Sequence, residues 1–332
     1  MSAPFRGVLS AIALLGLLPT VHQPAEAATT EEPIEELVVS GEQPGPGLWD
    51  VRHGDHHLYL LGTITPLPSK MRWKSAEVEA LVARSQFVLG PIQVKAGIGF
   101  FQGVRLIPAA LKARDLPKGE SLATVLPTSL YGRWSPLKQR YLGRGDRVER
   151  WRPMFAAGEL YDKALEAAQL DRRNEVWPIV EKAARKARVP LRRPEVQLAI
   201  ADPKGVIRDF ANTPRSADLD CFESLLTRVE REMPLMRQRA NAWSRGDVAT
   251  LKRLPLDDSE SKCVDAATST PSVAREYAEA LRRVRQDWVL AAEGALLRER
   301  TSVAVVPLRE ILAADGLLAQ LKARGYTVIE PN

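Results

Sequence analysis

Two residue types that carry much of enzyme chemistry are nearly absent from this chain, which has two cysteines and four histidines in 332 residues. His22 falls in an apolar N-terminal leader, and His53, His56 and His57 crowd a single predicted turn. No histidine elsewhere is left to serve as the base of a Ser-His-Asp triad, and no Gly-x-Ser-x-Gly elbow occurs, which argues against nucleophilic hydrolysis of that kind. Cys221 and Cys263 are too few and too far apart for a zinc site or a Cys-x-x-Cys redox pair. The spaced glycines of Gly97-Ile98-Gly99-Phe100-Phe101-Gln102-Gly103 lack the Lys-Ser/Thr of a phosphate loop and read as a plain loop. Aromatic and basic residues do not interleave as they do on single-strand-binding surfaces, so no nucleic-acid partner is expected. After the N-terminus no apolar run is long enough to cross a bilayer.

What is present describes a folded chain. Hydrophobic residues make up 45% and charged residues 27%, enough for one large domain or two small ones. Residues 1–28 read as a signal peptide. Arg6 supplies the positive start, 7–18 is a short apolar core, and Ala25-Glu26-Ala27 offers a small-x-small cleavage pattern, with cleavage near Ala27 or Ala28. The competing reading is a retained anchor. Export to the periplasm or beyond would place Cys221 and Cys263 in an oxidising compartment, where pairing is favoured over free thiols. The net charge of +6 is spread along the helices, which suits weak attraction to acidic envelope polymers or anionic headgroups.

Residues 29–47 are acidic and contain Pro and Gly, the composition of a linker. The β-prone island from Ile34 to Gly41 is either part of that linker or a strand that could join a partner's sheet edge. A single domain is expected over 48–330. Strands are predicted over 48–53 and 57–63 around Gly54-Asp55, followed by a helix over 76–84 capped by Ser75 and a buried strand over 87–89. From about 97 to 300 the pattern turns helical, with apolar spacings of three and four over 104–112, 130–141, 153–169 and 175–188. A strand is expected over 190–200, and helices over 204–211, 218–243 with a break at Pro234, 248–253 and 271–298. The chain closes with a strand over 302–306, a helix over 315–323 ended by Gly325, and a strand over 326–329. The fold class is therefore mixed α/β, with a central sheet built from N- and C-terminal strands and a large helical middle layer.

Few side chains stand out as chemical. His53 and His56 could hold a transition ion weakly, but a surface turn offers few converging partners, and solvated histidines are the simpler account. Asp257-Asp258 with Glu260 reads as a polar acidic loop, since the alternating ligands of a calcium loop are missing.

Several segments together resemble the TraB/GumN family, which includes the Tiki proteases. They are Gly47-Leu48-Trp49-Asp50-Val51, Tyr59-Leu60-Leu61-Gly62-Thr63-Ile64, Phe87-Val88-Leu89, Ala242-Trp243-Ser244-Arg245-Gly246-Asp247 and, near the end, Asp315-Gly316-Leu317-Leu318 through Gly325-Tyr326-Thr327-Val328. In active members, the resemblance implies, two Gly-x-x-His motifs and an acidic residue after the third strand build a metal-dependent hydrolytic site, supported by an Arg-Asn or Arg-Asp pair on a late helix. Carried onto this sequence, the first motif runs from Gly62 to Thr65, with threonine in place of histidine. The acidic residue falls on Gly90. The second motif falls on Pro307-Leu308-Arg309-Glu310, with Pro307 for glycine and Glu310 for histidine, and the helical pair falls on Arg285-Gln286.

Thr65 offers a neutral hydroxyl, Gly90 offers no side chain, and Glu310 alone gives one carboxylate, too little to hold a divalent ion against water. The expectation is an exported, non-catalytic relative without metal or cofactor, binding a ligand or an envelope protein through the inherited cleft. Arg285 and Arg309 beside Glu310 would then either receive an acidic ligand or neutralise themselves in a filled cleft. The alternatives are a hydrolase with relocated residues that uses Glu310, and a structural envelope protein.

Overall fold

The computed structural model describes residues 43–331, except 70, 98–99, 174–175, 213–214, 255–258 and 269 and the side chains of 100–102, 259–261 and 272. The leader, the segment 34–41 and Asp257-Asp258 lie outside the described residues. Ten strands occur in chain order: β1 (Leu48–His53), β2 (His56–Thr63), β3 (Leu67–Pro68), β4 (Phe87–Leu89), β5 (Gln93–Ala96), β6 (Leu170–Asp171), β7 (Leu191–Arg192), β8 (Glu195–Leu198), β9 (Thr301–Pro307) and β10 (Thr327–Ile329). The helices begin with α1 (Ala76–Arg84), α2 (Phe100–Arg114), α3 (Leu122–Val125), α4 (Thr128–Tyr141), α5 (Pro153–Ala167), α6 (Val176–Ala187) and α7 (Pro203–Asn212). They continue with α8 (Ser216–Thr227), α9 (Met233–Ser244), α10 (Val248–Arg253), α11 (Ser259–Ala267), α12 (Pro271–Arg298), α13 (Leu308–Leu312) and α14 (Leu317–Ala323).

The main sheet has the order β10-β1-β2-β9-β4-β7. β1 pairs antiparallel with β2 through the Gly54-Asp55 turn, where Gly54 adopts φ +61°, the conformation that a two-residue turn with glycine first requires. β2, β9, β4 and β7 run parallel. β9 is buried from Ser302 through Val306, a continuous run that marks a strand covered on both faces. α1 and α6 pack together against it, and α12 crosses β2, β4 and β9. Trp49, Trp243 and Trp288 are buried in this core. A second apolar core, around Trp134, Tyr161 and Phe222, lies among α4, α5 and α8.

The expected mixed fold is observed, with five local corrections. The glycine-spaced segment expected as a plain loop enters α2 at Phe100. Residues 190–200 are not one strand: Pro194, which has no N–H for a ladder, separates β7 in the main sheet from β8, which pairs with β5 in a sheet of two. The helical middle therefore contributes a strand to the central sheet. Ser75 stands at the start of α1 but makes no side-chain cap; its Oγ donates instead to Glu79 Oε1 at 2.6 Å. The acidic segment beyond Asp258 enters α11 at Ser259 rather than continuing as a loop. The last helix starts at Leu317 rather than Asp315, because Gly316 is extended (φ -69°, ψ 176°) and stands as its N-cap. The predicted break near Pro234 is present as a π turn over Arg228–Glu232, just ahead of the residue that cannot donate a helical hydrogen bond.

Candidate functional site

A cleft of about 470 Å³ opens beyond the carboxyl ends of β2 and β9. That is where open parallel sheets place their ligand sites, because the chain leaves each strand there and loops splay apart. Thr63, Ile64, Thr65 and Pro66 enter it from the end of β2, and Pro307, Leu308, Arg309 and Glu310 from the end of β9 and the start of α13. Ile92 and Val94 come from around β5, Arg228 from the π turn, Met236 and Arg239 from α9, and Tyr277, Leu281 and Arg285 from α12.

Of the residues singled out in the sequence, Thr65, Arg285, Pro307, Arg309 and Glu310 line this one cleft. Gly62, Gly90 and Gln286 do not. Gly62 is a packing residue: a Cβ there would lie 3.1 Å from Leu308 Cδ1, 3.2 Å from Trp49 Cζ3 and 3.3 Å from Ile311 Cδ1. Its carbonyl accepts a 2.7 Å hydrogen bond from Trp243 Nε1. Gly90 is packed more tightly still, since a Cβ there would lie 2.7 Å from Trp177 Cη2. Trp288 Nε1 donates to the Gly90 carbonyl at 3.2 Å, so two tryptophans fix this strand end. Gln286 is exposed on α12.

Glu310 is 6% exposed, and its Oε2 sits 3.2 Å from Arg285 Nη2. The same Nη2 donates to the Asp315 carbonyl at 2.6 Å, and Glu310 Oε2 receives no well-aligned hydrogen bond. The expected Arg-Glu pair therefore exists, but it does not fill the cleft. Arg309 is exposed at the rim.

These residues do not fit a divalent metal. Glu310 faces a guanidinium at 3.2 Å, and Thr65 and Pro307, which line the same cleft, offer only a hydroxyl and a ring, where a metal centre needs several imidazole or carboxylate donors. Among the described residues no group of three or more His, Cys, Asp and Glu side chains is arranged to hold a metal. The turn histidines have protein partners: His57 Nδ1 lies 2.9 Å from Asp50 Oδ1, and His56 Nδ1 lies 2.8 Å from the Leu296 carbonyl.

Three polar cleft residues, and the apolar ones from around β5, α9 and α12, were not legible in the sequence. Arg228, Arg239 and Tyr277 belong to helices whose spacing shows only which face is buried, not which distant strand end they meet. The break at Pro234 was the one local sign, since the π turn ahead of it carries Arg228, and such bulges recur at functional positions.

A six-stranded mixed sheet, a helical layer and a cleft at the carboxyl ends of its parallel strands define an α/β domain. The chain belongs to the TraB/PrgY/gumN family, whose family model matches residues 47–330. Neither a curated protein nor a solved structure matches it. No described helix is long and apolar enough to cross a membrane, and the sulfurs of Cys221 and Cys263 lie 2.07 Å apart, at disulfide distance.

Proposed function

We propose that this chain is an exported, non-catalytic member of the TraB/PrgY/gumN family that binds a ligand or an envelope partner through the cleft beyond β2 and β9. The observation that carries the reading is Glu310 facing Arg285 at 3.2 Å, with Thr65 and Pro307 completing that wall. A fixed cation occupies the position from which a metal would have to draw its ligand, and among the described residues no second carboxylate or imidazole lines the cleft. Export is supported by the Arg6-led apolar leader with its Ala25-Glu26-Ala27 pattern and by the cysteine pair, which suits an oxidising compartment.

Metal analysis of the purified protein, together with a panel of peptides and esters, tests the reading. The expected result is substoichiometric metal and no turnover. A tightly held divalent ion with peptide cleavage abolished by a chelator would overturn it. A hydrolase that uses Glu310 is the competing reading, favoured by one observation: this buried carboxylate has an oxygen without a hydrogen bond. Activity lost in Glu310→Gln would support that alternative.

A further inference from the structure

We infer that the cleft receives an amphipathic anion, a small organic molecule with a phosphate or carboxylate head on an apolar body. The inference rests on the binding reading above and adds the chemical class of the ligand. Four guanidinium groups, those of Arg228, Arg239, Arg285 and Arg309, line the cavity against one carboxylate, that of Glu310. The formal balance is four minus one, or +3. Glu310 is matched to Arg285, Arg228 is buried and lies 3.8 Å from Glu232, and Arg239 is directed at the Leu235 carbonyl, so the cation open to a ligand is Arg309.

Arg309 is the most available of them. It is exposed at the cleft, and among the described residues its guanidinium has no hydrogen-bond or ion-pair partner. A guanidinium fork matches the paired oxygens of a phosphate or carboxylate.

Charge alone does not describe the site. Ile64, Ile92, Val94, Met236 and Leu281 make an apolar wall in the same cavity. An inorganic ion would leave that wall wet, whereas each methylene of an organic body buried against it removes apolar surface from water and tightens binding. The volume of about 470 Å³ suits a small molecule rather than a folded partner.

Titration calorimetry of the purified protein with octyl phosphate, octanoate, octyl glucoside and inorganic phosphate, each below its micelle-forming concentration, tests the inference. At least one octyl anion is expected to saturate at one per chain and to bind about tenfold or more tighter than the neutral glucoside and the bare ion. Comparison of the two octyl anions identifies the preferred head. Arg309→Gln is expected to weaken that binding about tenfold, while Arg105→Gln on the exposed side of α2 leaves it unchanged. Binding of neither anion, equal binding of the glucoside, or undiminished binding in Arg309→Gln would overturn the inference. Chelator-sensitive hydrolysis by the wild type would instead end the non-catalytic reading and leave the outcome of these titrations as it stands.

Discussion

Adding a single carbon at Gly90 distinguishes a vacant position from a packed one. A Cβ at this residue falls 2.7 Å from Trp177 Cη2, 3.0 Å from Trp177 Cζ3 and 3.2 Å from Arg193 Cγ. The arginine stem can swing away, but the indole is 5% exposed and lies in the core beneath the sheet. The glycine itself is held from both sides, donating to the Arg192 carbonyl at 2.8 Å and accepting from Trp288 Nε1 at 3.2 Å. Two effects oppose each other in Gly90→Ala. Gly90 is not among the glycines with positive φ, so alanine gains about 0.4–1 kcal/mol by restricting the unfolded chain. Overpacking against the indole costs about 1–3 kcal/mol. The clash wins, and the expected net loss is about 1–2 kcal/mol, read from urea denaturation of the two proteins. Trp177→Leu introduced into both backgrounds should return a coupling of at least about 1 kcal/mol, since the leucine vacates the space that the new methyl needs. A Gly90→Ala protein as stable as the wild type would refute the reasoning. Placing a glutamate here, where the family resemblance puts an acidic residue, meets the same ring with a larger side chain.

Three further perturbations test how the frame is held. Trp243→Phe keeps an aromatic ring but removes the pyrrole half and leaves the buried Gly62 carbonyl without its 2.7 Å donor, with an expected cost of about 1–3 kcal/mol in denaturant melts from the lost hydrogen bond. Asp218→Ala strands the buried Arg152, whose Nε donates to Asp218 Oδ2 at 2.6 Å, and should cost about 3–5 kcal/mol. Burial pushes the Asp218 carboxyl above its ordinary value of 3.8, outweighing the lowering pull of Arg152 and Arg215. A raised folded value means that the protonated carboxyl favours the folded state. Compared with Asp218→Asn, the wild type should therefore lose stability as pH rises above 3.8 through that value, and a flat difference between the two proteins would contradict this. Reduction of the Cys221–Cys263 pair, 42 residues apart, should lower stability by about 4 kcal/mol in the chain-entropy model, visible as a lower melting temperature under reducing conditions.

The sheet was largely readable because its strands carry their own signals. Ser302 through Val306 is a buried apolar run, and Gly54-Asp55 marks the β1–β2 turn without reference to anything distant. The break at Arg193-Pro194 was hidden because Val189 and Leu191 before it, and Val196 and Leu198 after it, all suit a strand. Only the positions of β4 and β5 decide that the two halves pair with different neighbours. α13 was hidden because a five-residue helix carries too few turns to show a period. The cleft was half legible. Thr65 and Pro307 to Glu310 follow strands that could be read, whereas Arg228 and Arg239 reach the same space from elements separated from β2 by more than 150 positions.

The segments that identify the family have physical work to do apart from any reaction. Trp243 donates to Gly62, Trp49 and Leu308 close over the face of Gly62, and Gly45 N donates to the Ser244 carbonyl at 2.8 Å. Gly246, with φ +70°, turns the chain so that Asp247 can cap α10 by accepting from Thr250 N at 2.9 Å. The first two hold the end of β2 and the others shape the turn into α10, and of the groups involved only Leu308 lines the cleft. A chain can therefore keep every one of them, and with them the cleft, whatever stands at positions 65 and 310, whereas Trp177 restricts position 90 to a residue without a side chain. Family membership here follows from the frame, and the chemistry of the cleft has to be judged from its own lining, where arginines outnumber carboxylates four to one.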